Sequence, residues 1–152
     1  MDVINQNDAE LDGIGQLRAM LAAGIQPPIA RTLGFELIEI SPGVAVFEGE
    51  PGQSVYNPIG SVHGGYAATL LDSACGCATH SRLSADQGYT TLELKISYHR
   101  PLSDQSGKVR AEGRLLSFGR RAAFAEAKLI DAQGRLCASA TSTLLVFSRK
   151  PA

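Results

Sequence analysis

Apolar and polar residues alternate along residues 89–100 with a period of two. Leu92, Leu94, Ile96 and Tyr98 fall on one face of this stretch. The opposite face carries Thr91, Glu93, Lys95, Ser97 and His99. Because successive side chains of a strand point to opposite faces, this pattern predicts a β-strand with one buried face.

Five more strands are predicted from shorter apolar or alternating stretches bounded by turn residues. They cover residues 35–40, 44–50, 106–116, 121–130 and 136–147. From residue 89 onward, strands follow one another through short connections rich in glycine and polar residues. We therefore expect the last four strands to form an antiparallel meander.

Residues 63–82 form the predicted central helix, and nearly every face of it is small or apolar. Gly64, Gly65, Gly76 and several alanines are poor formers of an isolated helix. They suit a helix against which a sheet packs so closely that only small side chains fit. The expected fold is therefore α+β, with an antiparallel sheet of about six strands wrapped around one long helix.

An N-terminal extension of residues 1–26 precedes the predicted domain of residues 27–152. Residues 1–10 are polar and are expected to be loosely attached. Residues 11–23 place leucine and isoleucine at helical spacing before a glycine, which predicts a short amphipathic helix. One more helical turn is predicted at residues 27–33, which begin with two prolines.

Composition narrows the classes of function. The chain has 152 residues, 44% of them hydrophobic and 19% charged, and its formal net charge is −1. This balance gives no electrostatic reason to expect a nucleic acid or an anionic membrane as partner. Three cysteines without regular spacing and a polar, acidic N-terminus predict free thiols in a cytoplasmic protein. His80 and His99 lack a partner at metal-ligand spacing, so we expect no metal site and assign both to the surface or to strand ends.

Asp72 is the one residue with a formal charge between Gly64 and Thr79. An ionised carboxylate among small and apolar side chains is unfavourable unless other groups compensate it. We therefore interpret Asp72 as a functional group rather than as part of the core.

His63, Gly64 and Gly65 lie where the central helix is predicted to begin. The first N–H groups of a helix have no internal acceptor, and glycine leaves them accessible to a carbonyl oxygen or an oxyanion. The alternative is that both glycines only permit close packing of the sheet on the helix. For His63 we favour a structural or hydrogen-bonding role, as is usual for an isolated histidine.

Asp72 follows Gly64 by eight residues and His63 by nine, which corresponds to roughly 12–13 Å along a helix axis. A carboxylate cannot reach a carbonyl group held at the start of its own helix across that distance. Two chains with antiparallel helices would bring each Asp72 to the partner's Gly64, so we predict an isologous dimer with two sites across its interface. This arrangement suits acyl transfer, with Asp72 as nucleophile or as general base for water.

Asn57 and Thr91 are further candidates for this site. The Asn57 amide could orient water or the carbonyl group, or Asn57 could serve only as a turn residue before a proline. The Thr91 hydroxyl could hydrogen-bond to Asp72 or to the attacking water. The alternative for Thr91 is a β-branched residue that only favours the strand.

The predicted turn at residues 117–121 carries candidate phosphate ligands. Arg120 and Arg121 lie beside Ser117 and Gly119 there. Guanidinium groups bind phosphate through charge-assisted hydrogen bonds, so the arginines could hold such a group. A solvated cation pair at a hairpin is the alternative.

Residues 30–147 resemble the hotdog-fold thioesterases, and the most similar subgroup is that of the PaaI-type acyl-CoA thioesterases. The resemblance rests on Asn57, Gly60, His63, Gly64, Gly65, Leu70, Asp72 and Ala74, followed by Tyr98, His99, Arg100 and Pro101. It implies a sheet wrapped around the central helix, and homodimers that commonly pair into homotetramers. The N-terminal helix lies outside the resemblance and could cap an acyl pocket.

The same resemblance implies hydrolysis of an acyl-CoA thioester without a cofactor. Gly64 would donate to the oxyanion and Asp72 would be the nucleophile or base. Asn57 and His63 would lie on the oxyanion side, and Thr91 would position water. The expected substrate-binding residues are Gly65, Ser117, Gly119, Arg120 and Arg121. Two alternatives stay open, a hotdog hydratase or dehydratase and a non-catalytic acyl-CoA binding domain, and the sequence does not define the acyl group.

Overall fold

The computed structural model describes residues 10–149, so the predicted loosely attached segment lies outside the described residues except for Glu10. The helices are α1 Gly13–Ala22, α2 Pro28–Leu33 and α3 Gly64–His80. The strands are β1 Phe35–Ser41, β2 Val44–Gly49, β3 Gln87–Tyr98, β4 Val109–Phe118, β5 Ala122–Ile130 and β6 Leu136–Ser148. These bounds lie within about three residues of the predicted ones. None of the helices in this described part is long and apolar enough to cross a membrane.

The six strands form one antiparallel sheet in the order β1-β2-β4-β5-β6-β3. Helix α3 packs against one face of this sheet and contacts all six strands. The α+β prediction is therefore confirmed.

The predicted four-strand meander is wrong for its first strand. β4, β5 and β6 pair in succession, but β3 pairs with β6 and not with β4. After Tyr98 the chain leaves the sheet at Pro101 and passes the start of α3, where Leu102 O accepts a hydrogen bond from Val62 N. The alternation pattern predicts strands but not which strands pair, so the crossover was not predicted. As a result β3 is an edge strand of 12 residues.

Close contact between α3 and the sheet accounts for the small residues of the helix. Gly113 on β4 lies so near Ala74 that an added Cβ would overlap the Ala74 carbonyl group. The strands contribute small buried residues to the same layer: Ala45, Ala111, Ala125, Ala127, Ala138 and Ala140. Tertiary packing therefore outweighs helix propensity in α3, as predicted.

A β-bulge breaks the alternation of β3. The register with β6 shifts between Thr91 and Glu93, so the residue between them, Leu92, is 61% exposed. Tyr89 and Leu94 both pack on the core, and Thr91 shares their face of the sheet. The sequence placed Thr91 on the opposite face from Leu94, and that prediction is wrong, because a bulge moves all residues on one side of it to the other face.

His80 is buried at the end of α3, so its predicted surface position is wrong. Its Nε2 lies 2.8 Å from Gln16 Oε1 of α1, and its ring contacts the Tyr89 ring edge-on at 5.6 Å between centroids. Burial and the charge of Arg149 lower the pKa of His80 to about 4. His99, in contrast, is exposed just after β3 as predicted, with Nε2 2.8 Å from Ser139 Oγ.

Candidate active site

Asp72 lies in the middle of α3 and is half-buried. The Thr91 hydroxyl donates a hydrogen bond to Asp72 Oδ1 at 2.9 Å, and the bulge in β3 turns Thr91 toward the helix for this contact. This bond fixes the orientation of the carboxylate. Oδ2 receives no hydrogen bond from residues 10–149, so it remains available to another molecule.

A cavity of about 200 Å³ opens beside Asp72. Besides Asp72 and Thr91, its walls are Pro27, Ile29, Ala30, Phe35, Phe47, Ser73, Gly76, Cys77 and Tyr89. The segment that covers it is therefore α2 with the proline before it. The first helix, α1, contributes no residue to these walls, so the structure gives no support to the capping role suggested for it.

Among the described residues, Asp72 is the one acidic or basic side chain that lines this cavity. Burial, and secondarily the charge of Asp72, raises the pKa of the Cys77 thiol to about 12. Burial likewise raises the pKa of the Tyr89 hydroxyl. Both groups are therefore neutral at physiological pH, which leaves the Asp72 carboxylate as the anionic group able to act as nucleophile or base.

The start of α3 presents one free donor. His63 caps the helix, because its Nδ1 accepts a hydrogen bond from Gly65 N at 2.8 Å. The Gly64 N–H has no acceptor among the described residues. The two glycines, treated alike in the sequence, are thus chemically different: Gly64 can donate to an external oxygen, whereas the Gly65 N–H is already satisfied. His63 makes the type of hydrogen bond we favoured for it.

A second cavity, of about 300 Å³, adjoins Gly64. Tyr98, at the end of β3, donates a hydrogen bond from its hydroxyl to Gly64 O at 2.8 Å. A Cβ on Gly64 would lie 3.1 Å from the Tyr98 hydroxyl oxygen, so glycine makes this approach possible. The sequence analysis missed this contact, although Tyr98 was among the residues that carry the family resemblance.

Asn57 uses its side chain within its own loop. Its Oδ1 accepts hydrogen bonds from the backbone N–H groups of Ile59 and Ser61, each at 3.1 Å, and its Nδ2 donates to Ser61 Oγ at 3.0 Å. The turn role, one of the two alternatives for Asn57, therefore has direct support. The loop shaped in this way leads into His63, whose N–H donates to Val55 O.

Arg120 and Arg121 lie away from both cavities. They line a groove of about 500 Å³ between the β4–β5 turn and the segment before β3, where Ser84 and Gln87 also contribute. Gly119 closes the turn by donating to Ala122 O at 2.8 Å, and Ser117 is exposed. Neither Ser117 nor Gly119 lines the groove.

Within one chain, the predicted catalytic residues therefore lie in two separate places, Asp72 with Thr91 and Gly64 with His63. The Asp72 cavity and the Gly64 cavity share no lining residue. No group of three or more potential metal ligands occurs within residues 10–149.

A sequence model described as the thioesterase superfamily matches residues 59–138. The chain belongs to this superfamily. The proofreading thioesterase EntH of Klebsiella pneumoniae is 31% identical over 119 residues, which are 78% of this chain and 85% of EntH. The 1,4-dihydroxy-2-naphthoyl-CoA hydrolase of Listeria monocytogenes is 25% identical over 122 residues, covering 80% of this chain and 98% of the relative.

Solved structures agree with this assignment. A mutant of the phenylacetic acid degradation protein PaaI from Thermus thermophilus superposes with a TM-score of 0.71 at 29% identity, over 78% of this chain and 98% of that chain. A thioesterase family protein from Silicibacter pomeroyi superposes with a TM-score of 0.76 at 25% identity, over 87% of this chain and 96% of that chain. This superfamily member is thus a PaaI-type hotdog protein, and its enzyme class is thioester hydrolase.

Proposed function

We propose that this thioesterase hydrolyses an acyl-CoA thioester to the free acid and CoA, in two equivalent sites across a homodimer interface. The main support for this proposal is that one helix carries both an available carboxylate oxygen, at Asp72, and an available N–H, at Gly64. The first group suits attack on a carbonyl carbon, and the second suits the oxygen of that carbonyl.

The separation of the two groups supports a site completed by a second chain. Eight residues of helix between Gly64 and Asp72 span about 12 Å, whereas an attacking oxygen and an oxyanion donor must each come within about 3 Å of the reacting group. The separate cavities beside the two residues agree with this distance. Asp72 of one chain would therefore face the partner's Gly64.

The free edge of β3 offers a means of forming that dimer. Pairing two β3 strands antiparallel about a twofold axis would reverse every direction within the plane of the sheet, so the two α3 helices would run antiparallel. Asp72 lies next to this edge through its bond to Thr91. Pairing of such dimers into a homotetramer is the further assembly that the family resemblance implied.

Two routes of hydrolysis fit Asp72. As nucleophile, its free oxygen would attack the carbonyl carbon, the carbon–sulfur bond would break to release CoA, and water would then cleave the mixed anhydride. As general base, Asp72 would take a proton from a water molecule whose oxygen attacks the same carbon. In both routes the oxyanion would accept a hydrogen bond from the partner's Gly64, and Thr91 would hold the carboxylate in place.

The groove at Arg120 and Arg121 is the proposed contact for the CoA phosphates. Both side chains are exposed cations beside Ser84 and Gln87. The supporting observation is the shape and charge of the groove, although Asp86 also lines it. Gly65, Ser117 and Gly119 would then act by shaping the backbone near the bound substrate.

The test is a thiol-release assay with a panel of acyl-CoAs, comparing wild type with Asp72→Asn. We expect the variant to fold and to lose roughly 10²–10⁴-fold in kcat, because a general base or nucleophile is removed without a change of shape. Asp104→Asn, an exposed acid near the loop after β3, is the matched control and should keep wild-type activity. Hydrolysis by Asp72→Asn at the wild-type rate would exclude this mechanism.

The same panel separates the two other functions considered. Loss of conjugated absorbance from an enoyl-CoA, without thiol release, would indicate a hydratase. Acyl-CoA binding by calorimetry without either reaction would indicate a binding domain. Asp72 is the one acidic or basic side chain among the described residues that line its cavity, so no second carboxylate or histidine there favours hydratase chemistry.

A further inference from the structure

A cavity of about 370 Å³ lies directly behind the wall of the Asp72 cavity, and we call it the outer cavity. Ala30 and Phe35 line both spaces, so these two side chains form a partition between them. The buried part of the outer lining, which is Ala30, Phe35 and Gly49, carries no polar side chain. The exposed or half-buried part includes five charged side chains: Arg31, Glu36, Glu48, Glu50 and Lys108. The outer cavity is therefore apolar next to the partition and charged where it meets solvent.

One large side chain makes up most of this partition. Ala30 contributes a methyl group from α2, whereas Phe35 contributes its ring from the first position of β1. Phe35 pairs across the sheet with Gly49, which has no side chain. A Cβ on Gly49 would overlap the Tyr66 hydroxyl, so a larger residue does not fit there. The ring of Phe35 is therefore the main barrier between the two cavities.

The surroundings of the Phe35 ring hold it in place. Phe35 is buried, and its ring packs edge-on against Phe47 with 5.8 Å between the ring centroids. The segment before α2 is fixed to β1, because the Gln26 side chain donates to Leu37 O at 3.3 Å and accepts from Leu37 N at 3.1 Å. The barrier thus belongs to the close-packed core of the protein.

We propose that Phe35 sets the maximum length of the acyl group, because its ring closes the Asp72 cavity at the partition. This inference rests on the proposed function, which places the thioester carbon at Asp72. An acyl group that fills the cavity of about 200 Å³ would end against the Phe35 ring. A longer group would have to leave methylene groups in water or displace the packed ring. Without the ring, the same group would continue into the outer cavity and end beside its charged side chains.

The test measures kcat/KM for thiol release from straight-chain acyl-CoAs between butanoyl-CoA and hexadecanoyl-CoA. The informative quantity is the ratio of kcat/KM for dodecanoyl-CoA to kcat/KM for hexanoyl-CoA. We expect the wild type to prefer hexanoyl-CoA. Phe35→Ala should raise the ratio by roughly tenfold or more, because each methylene group moved from water into an apolar site contributes about fourfold. Phe35→Leu removes less of the core, so it should raise the ratio by less, and it decides the question if the alanine variant does not fold.

Phe47→Ala is the matched control, because Phe47 contributes the same kind of ring to the Asp72 cavity but does not line the outer cavity. It should raise the ratio much less than Phe35→Ala does, since the widened cavity would still end at Phe35. An unchanged ratio in the folded Phe35 variants, an equal rise in Phe47→Ala, or a wild type that prefers dodecanoyl-CoA would overturn the role of Phe35 and leave the proposed hydrolysis standing. Absence of thiol release from every acyl-CoA tested, aromatic ones included, would instead remove the proposed function and this inference with it.

Discussion

The start and the middle of α3 carry the two halves of the proposed site, and they are built differently. At the start, the free Gly64 N–H and the His63 cap on Gly65 come from three consecutive residues. In the middle, the Asp72 carboxylate depends on Thr91, which is 19 residues away and reaches the helix through a β-bulge. The first half therefore depends on neighbouring residues in the sequence, whereas the second depends on tertiary contacts.

This difference predicts how each half responds to mutation. At the Gly64 end, a change can remove one backbone donor and leave the surrounding fold intact. Around Asp72, the carboxylate, the strand register and the walls from α2 depend on one another, so the effect of a substitution there spreads through packing.

Among substitutions that distinguish the two regions, Gly64→Pro is expected to have the largest effect on activity. Proline fits the first position of a helix, where it removes the N–H without breaking a helical hydrogen bond, and His63 has the extended backbone, φ −60° and ψ 134°, that a residue before proline requires. We expect kcat in thiol release to fall by roughly 10²–10³-fold, as when an oxyanion donor is removed elsewhere. Gly64→Ala is the control, because it adds the same Cβ near Tyr98 and keeps the N–H.

Mixing two inactive chains shows whether the halves come from different protomers. Refolding Asp72→Asn together with Gly64→Pro in equal amounts should restore about a quarter of wild-type activity, because half of the dimers are mixed and each has one intact site. If each chain contained its own complete site, no mixture could regain activity. That result would refute the cross-interface arrangement while the assay remains valid for the wild type.

A smaller loss is expected from Thr91→Val, which removes the hydrogen bond to Asp72. Valine has nearly the shape of threonine but cannot donate to Asp72 Oδ1, so the carboxylate loses its one hydrogen bond from the described part of the chain. A hydrogen bond to a charged group is worth about 1.5–3 kcal/mol, which corresponds to roughly a 10- to 100-fold fall in kcat/KM. Thr91→Ser keeps the donor and should stay within a few-fold of wild type. Equal activities of the valine and serine variants would show that the hydroxyl has no such role.

The sequence was informative where function depends on neighbouring residues. Helix starts, turn glycines and strand periodicity are local, so the approximate bounds of α3 and a hydrogen-bonding role for His63 followed from the sequence. The isolated charge of Asp72 was visible for the same reason. The sequence analysis also suggested the hydrogen bond between Asp72 and Thr91. It assumed an unbroken alternation along β3, however, which the bulge interrupts.

The features that the sequence did not indicate depend on pairing between distant segments. The position of β3 beside β6 depends on the crossover after Tyr98, and alternation carries no information about it. The cavity walls from α2 and the orientation of Tyr89 over Gly76 arise from that same tertiary arrangement. His80 appeared to be a surface residue because its partner, Gln16, is 64 positions away.

The smallest effect near neutral pH concerns His80, whose ring contacts Tyr89 beside the Asp72 cavity. Burial and Arg149 lower its pKa from 6.5 to about 4, so the folded state binds fewer protons than the unfolded state between these values. Stability is therefore fully present above about pH 6.5 and falls as the pH drops toward about 4, by at most on the order of 3 kcal/mol. The measurement is the free energy of unfolding in urea for wild type and His80→Gln across this pH range. Both proteins should lose stability equally as their carboxylates become protonated. The wild type alone should show an additional loss. The glutamine amide can still donate to Gln16, so the two proteins should differ little at pH 7. Identical pH profiles would mean that His80 is not held neutral in the folded protein.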